Sequence, residues 1–106
     1  MIPCIFCQVI KGSIPSKPVY QDDDVIVIPD INPKAPLHLL VISKNHIADF
    51  MDADAVLLEK LLSVTKHLIK TQHITNYRLV NNGGGAAFID HVHIHLMGSV
   101  EKYREL

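Results

Sequence analysis

Residues 91–96 read His-Val-His-Ile-His-Leu, a strict alternation of imidazole and aliphatic side chains. Strands have a period of two, so the segment predicts a strand with His91, His93 and His95 on one face and Val92, Ile94 and Leu96 on the other. At a rise of about 3.3 Å per residue, neighbouring histidines stand about 6.5–7 Å apart, and the row can line a groove as long as a phosphate group and its substituents. From the residues alone, the row is a metal site, a catalytic row or the solvated outer face of a half-exposed strand. Solvated faces ordinarily draw Lys, Glu and Thr, and solvation alone explains three identical imidazoles poorly. Histidine is abundant overall: seven, against six Phe and Tyr together.

The remaining segments supply neighbours for this strand. Leu37 to Ile42 is an apolar run broken only by His38, which predicts a central strand. Val19–Tyr20 and Val25–Ile28, separated by Gln21-Asp22-Asp23-Asp24, predict a hairpin, and Tyr77 to Asn81 a further strand. Three prolines make Pro29 to Pro36 a fixed loop suited to the wall of a binding site. Cys4 to Lys11 predicts one short helix ended by Gly12 in a left-handed position. From Ala53 to Gln72, Leu57, Leu61, Val64 and Leu68 recur at helical spacing, which predicts a long amphipathic helix with Asp52 as its N-cap. Strands gathered around one long helix give an α+β fold: a mainly antiparallel sheet of about five strands with one long and one short helix. No repeat or linker divides the chain, so residues 1–106 are expected to form a single domain.

A chain of 106 residues buries roughly 60% or more of its unfolded surface and needs neither disulfides nor an obligatory metal to fold. Ten basic residues against eleven acidic ones, with no basic run, exclude a nucleic-acid backbone as partner but leave room for a small anion. No segment approaches the roughly 20 apolar residues of a membrane span. Met1 to Gln8 has no basic start and no small-residue cleavage site, so the cytoplasm is the expected compartment. In that reducing setting Cys4-x-x-Cys7 reads first as a metal or redox pair, though two ligands fill only half a tetrahedron. The alternative is two small hydrophobes on a short helix. Gly83-Gly84-Gly85 forms either a nest of N–H groups for an anion or a flexible turn. Taken singly, His38 reads as a core histidine, and a turn residue is the bland alternative for Asp30; His67 and His73 match no motif and are expected at the surface.

Seen together, several segments resemble the histidine triad proteins, whose hallmark is His-φ-His-φ-His-φ-φ with φ apolar. His91-Val92-His93-Ile94-His95-Leu96-Met97 fits all seven positions. Cys4-Ile5-Phe6-Cys7, Ile14-Pro15, Asp30 to His38, Val41 to His46 and Val80-Asn81-Asn82-Gly83 extend the likeness over nearly the whole chain. The chain is most similar to the small branch that hydrolyses nucleoside phosphoramidates and related adenylates. The resemblance implies that His93 attacks the α-phosphorus of a purine nucleotide, such as an AMP conjugate, and carries a nucleotidyl group until water takes it. An imidazole with an ordinary pKa near 6.5 is largely neutral and nucleophilic at pH 7, so this chemistry is coherent. His95 and His38 are then donors to phosphate oxygens, and His91 is a strut that positions the row. Asp30 would hold the ribose and Ile31 a base face, with Asn82, rather than Asn81, and Gly83 near the phosphate or leaving group. Members that open with Cys-x-x-Cys bind zinc; carried over, the ligands are Cys4, Cys7, His46 and His91, a structural Cys₂His₂ set. A symmetric homodimer is implied as well. Two alternatives stand beside phosphoramidate hydrolysis: a dinucleoside polyphosphate hydrolase and a nucleotide-binding regulatory module without turnover. The chain also departs from the pattern. Ala86-Ala87-Phe88-Ile89-Asp90 lacks the glutamine common shortly before the triad, and Ser43 replaces a proline before Lys44.

Overall fold

Five strands form one sheet in the order β1-β2-β3-β5-β4, with every neighbouring pair antiparallel, in a computed structural model that describes residues 4–105. In chain order they are β1 (Tyr20–Gln21), β2 (Val25–Pro29), β3 (Leu37–Ser43), β4 (Arg78–Val80) and β5 (His93–Gly98). Two helices, α1 (Ile5–Lys11) and α2 (Ala55–Thr71), complete the α+β architecture. Residues 1–3, on which part of the reading of Met1 to Gln8 rests, lie outside the described residues, as does Leu106.

Alternation along the strands sorts the side chains into two clusters. Val25, Val27, Leu39, Val41 and Leu96 pack against Leu61, Val64 and Leu68 of α2. Ile26, Ile28, Leu40 and Ile42 pack against Phe6 and Val9 of α1 on the opposite face. Register decides which face receives the histidines. His93 pairs with Ile42 and His95 with Leu40, and directly opposed residues share a face, so both lie on the α1 side. A slip of one residue would send them into the α2 core.

Several boundaries differ from the expectation. Asp52 does not cap the long helix: it ends a 3-10 turn, Phe50–Asp52, which is capped by Asp49. Asp54 caps α2, its carboxylate accepting from the Leu57 N–H at 2.8 Å. Cys4 sits at the N-cap of α1 rather than inside it, and Gly12 ends that helix at φ 82°. His91 and Val92 precede β5 instead of opening it. Their N–H groups go to the Ile89 and Ile47 carbonyls, 2.9 and 2.7 Å away, not into the ladder. The hairpin strand is Tyr20–Gln21 rather than Val19–Tyr20, and β4 is shorter than Tyr77 to Asn81. His67 and His73 are exposed. Among the described residues no helix is long and apolar enough to cross a membrane.

Candidate functional site

The α1 side of the sheet carries a cavity of about 940 Å³. His93 and His95 of β5 and His38 of β3 form part of its wall, together with Asp30, Ile31 and Asn82. His38 faces Met97 across the ladder and is therefore the diagonal neighbour of His95. The rings of His93 and His95 tilt towards each other until their centroids are 5.0 Å apart, closer than the strand spacing alone allows.

Hydrogen bonds to the backbone assign the proton on each ring. A neutral imidazole has one N–H and one lone pair. The Lys34 N–H donates to His38 Nδ1 at 2.9 Å, so the His38 proton is on Nε2. That Nε2–H donates to His95 Nδ1, also at 2.9 Å, which leaves the His95 proton on Nε2. Asp30 Oδ2 lies 3.4 Å from His38 Nε2 and 4.0 Å from His95 Nδ1. His93 differs: its Nδ1–H donates to the His91 carbonyl at 2.6 Å, so its lone pair is on Nε2. One cavity wall thus holds a lone-pair nitrogen on His93 beside an N–H donor on His95.

Burial lowers the pKa of His38 and of His95. The Lys34 and Arg104 cations add to the effect at His38, and the neighbouring His93 and His38 imidazoles add to it at His95 by disfavouring a second charge, while Asp30 opposes it at both. Both rings are held neutral in the fold, whereas an unfolded chain protonates them near pH 6.5. The unfolded state therefore binds more protons below that pH, and stability falls as pH drops through about 6.5 towards the lowered folded values. Urea titrations of the metal-free protein at pH 7.5 and 5.5 are expected to show a lower midpoint at 5.5. Equal midpoints would contradict the assignment of neutral rings.

A second cluster joins the start of α1 to the loops before α2 and β5. Cys4 Sγ lies 3.4 Å from His91 Nδ1, Cys7 Sγ 3.3 Å from His46 Nδ1 and 3.6 Å from His91 Nδ1, and the two Nδ1 atoms are 3.2 Å apart. Zinc bonds of about 2.0–2.1 Å to nitrogen and 2.3 Å to sulfur give tetrahedral edges of roughly 3.3–3.8 Å, so these donors fit a single ion. His91 Nε2–H donates to the Ser43 carbonyl at 2.6 Å, which turns the Nδ1 lone pair towards the cluster. Asp30, His38 and His95 also bring ligand atoms together. That trio fits a metal poorly, because the His38 nitrogen facing it carries a proton fixed by Lys34.

Not every residue singled out above reaches the cavity. Asn82 lines it, but Asn81 and Gly83 do not. The Asn81 amide donates instead to the His93 carbonyl at 3.0 Å and ties β4 to the row. Nor is the glycine loop an open nest, since the Gly84 N–H already donates to Asp49 Oδ1 at 2.8 Å. His38 points its Nε2 proton at His95 Nδ1. Asp49 and the Lys34 N–H carry no signal in the sequence: one is a loop carboxylate outside any periodic pattern, and the other is a backbone group.

The chain matches a family model described as "Scavenger mRNA decapping enzyme C-term binding" over residues 3–104. It is 38% identical over 102 residues to "Protein HitA" of Neisseria gonorrhoeae, covering 91% of this chain and 95% of that protein. Identity to the "14 kDa zinc-binding protein" of Zea mays is 38% over 104 residues, covering 91% of this chain and 81% of that one. The solved structure of a HIT family hydrolase from Legionella pneumophila Philadelphia 1 superposes with a TM-score of 0.86 at 37% identity, over 93% of this chain and 95% of that one.

Proposed function

The chain belongs to the histidine triad (HIT) family, and from that premise we propose that it cleaves purine nucleoside phosphoramidates or adenylates through a nucleotidyl group carried on His93. The observation that supports this reading best is the pairing of proton states: a lone pair on His93 Nε2 beside a proton on His95 Nε2, in one cavity. His93 Nε2 bonds to the α-phosphorus as the bond to the leaving group breaks. The leaving amine keeps the bond pair and takes a proton from solvent. Water then attacks the same phosphorus and releases His93; its own proton returns to solvent, so the sum is one water consumed and a nucleoside monophosphate formed. His95 Nε2–H donates to the phosphoryl oxygens as their charge grows, and His38 acts through His95 by fixing which nitrogen carries that proton. Asp30 accepts from the ribose hydroxyls, Ile31 covers the base, and Asn82 reaches the leaving-group side.

Cys4, Cys7, His46 and His91 would hold one structural zinc, which when bound supplies a rigid tie between α1 and the start of β5. A symmetric homodimer accounts for apolar side chains left exposed on β4 and α2: Tyr77 beside β4, Leu79 on it, and Val56 and Leu62 on the helix.

Adenosine 5′-phosphoramidate is expected to release AMP with a kcat/KM at least about 10-fold above that for a diadenosine polyphosphate, roughly the discrimination that one well-fitted group supplies. The reverse order would make the protein a dinucleoside polyphosphate hydrolase. AMP binding without turnover of either compound would make it a regulatory module.

A further inference from the structure

The segment where the family's glutamine is missing reads Ala86-Ala87-Phe88, and Phe88 is fully exposed while also lining the cavity. Its neighbour Ile89 packs against the core cluster that contains Phe6 and Val9, so the loop has a core to fold onto, while Phe88 is exposed. Both ends of the loop are held. On one side Gly84 is clamped to Asp49, with Gly84 and Gly85 at positive φ and the Ala86 N–H on the Gly83 carbonyl. On the other side the His91 N–H donates to the Ile89 carbonyl. A fixed loop thus presents a solvated aromatic ring to the cavity that His93 and His95 also line, together with Asn82, Val80 and Met97.

The volume of about 940 Å³ lies at the upper end of small-molecule sites, and a nucleoside monophosphate does not fill it. The lysines that line the cavity, Lys17 and Lys34, come from the connection before β1 and from the proline loop, not from the segment carrying Phe88. Nothing charged in that segment's Ala-Ala-Phe-Ile stretch would bind a polar or anionic leaving group.

We propose that Phe88 is a stacking platform for the leaving group and selects substrates in which an aromatic or flat apolar amine is bonded to the nucleotide phosphorus. Aromatic rings meet best in offset or edge-to-face contact, and a rigid exposed ring offers either. This rests on the hydrolase reading above, in which the phosphorus–nitrogen bond breaks as His93 bonds to phosphorus.

The test uses adenosine 5′-phosphoramidates of 2-phenylethylamine and 2-methoxyethylamine, amines of similar basicity, with the wild-type protein and with Phe88→Ser and Phe88→Leu. The wild type is expected to favour the phenylethyl compound by about 10–100-fold in kcat/KM, the range one apolar contact supplies. Phe88→Ser is expected to cut that ratio below about 3-fold, chiefly through KM, and Phe88→Leu to retain part of it. The ratio is insensitive to how much of each variant folds. An unchanged ratio in Phe88→Ser, or no preference in the wild type, overturns the proposal; so does a Phe88→Ser variant that alters only self-association. Failure to hydrolyse either compound refutes the hydrolase reading alone. The platform is then read from the ratio of the two dissociation constants on His93→Ala by calorimetry, where the same preference is expected and equal affinities overturn it.

Discussion

His93→Ala is expected to lower AMP release from adenosine 5′-phosphoramidate by at least about 10³-fold, the scale seen when a covalent nucleophile is removed. His93 Nδ1–H is committed to the His91 carbonyl at 2.6 Å, so the ring offers its lone pair from Nε2 only. Alanine offers none, and neither neighbour can substitute. His95 Nε2 holds a proton because its Nδ1 already accepts from His38, and the His38 proton is fixed in turn by the Lys34 N–H. His95→Ala and His38→Ala remove or misorient a donor and are expected to cost about 10²–10³-fold, leaving the covalent step intact. Rapid acid quenching of the wild type during turnover is expected to show one nucleotidyl group on the peptide containing His93, and none in His93→Ala. Turnover of His93→Ala within about 3-fold of wild type, with a comparable melting temperature, would refute the assignment.

The sequence foretold the face more readily than the boundaries. Period-two alternation placed His93 and His95 on one side of β5, and the stripe Leu57, Leu61, Val64, Leu68 marked the face that α2 turns to the sheet. Both are averages over many side chains, and each makes a one-residue error costly. The ends of elements have no such averaging. Asp49, Asp52 and Asp54 are all good cap residues within six positions, and the choice of Asp54 depends on which carboxylate meets a free N–H once the leucine stripe has docked. Asn81 and Asn82 are adjacent and chemically identical. The ladder between β4 and β5 decides that one bonds the His93 carbonyl and the other lines the cavity. Proton positions were least legible. They depend on the Ser43 and His91 carbonyls, a group every residue possesses, and on the Lys34 N–H, which every residue but proline possesses, and no composition or motif distinguishes them.

Removing zinc from a zinc-loaded preparation with a chelator is expected to lower the melting temperature by about 8–32 °C, from a loss of about 2–4 kcal/mol and a slope of about 4–8 °C per kcal/mol for a domain of this size. The sheet and α2 have their own core, so the fold survives; α1 is the element at risk. It is seven residues long, too short to be stable alone, and its N-cap side chain makes no capping hydrogen bond. Its tie to the sheet runs through Cys4 and Cys7, with Phe6 packed edge-on against His91 and His93 at 5.8 and 5.0 Å. Without a metal, the Cys7 thiol is pushed up by burial and by Cys4, so it stays protonated, and the Nδ1 atoms of His46 and His91 face each other at 3.2 Å. The carbonyl of His91, one of the proposed zinc ligands, is also what holds the Nδ1 proton of His93. Loosening His91 therefore frees His93 to take the other tautomer, and kcat is expected to fall more than KM rises. Cys4→Ser and His46→Ala should reproduce both effects, and metal analysis should drop from one zinc per chain to a small fraction of that. A Cys4→Ser protein that keeps its zinc, or a stripped wild type that melts and turns over unchanged, would leave Cys4 and Cys7 as small side chains on a short helix and detach the cluster from catalysis.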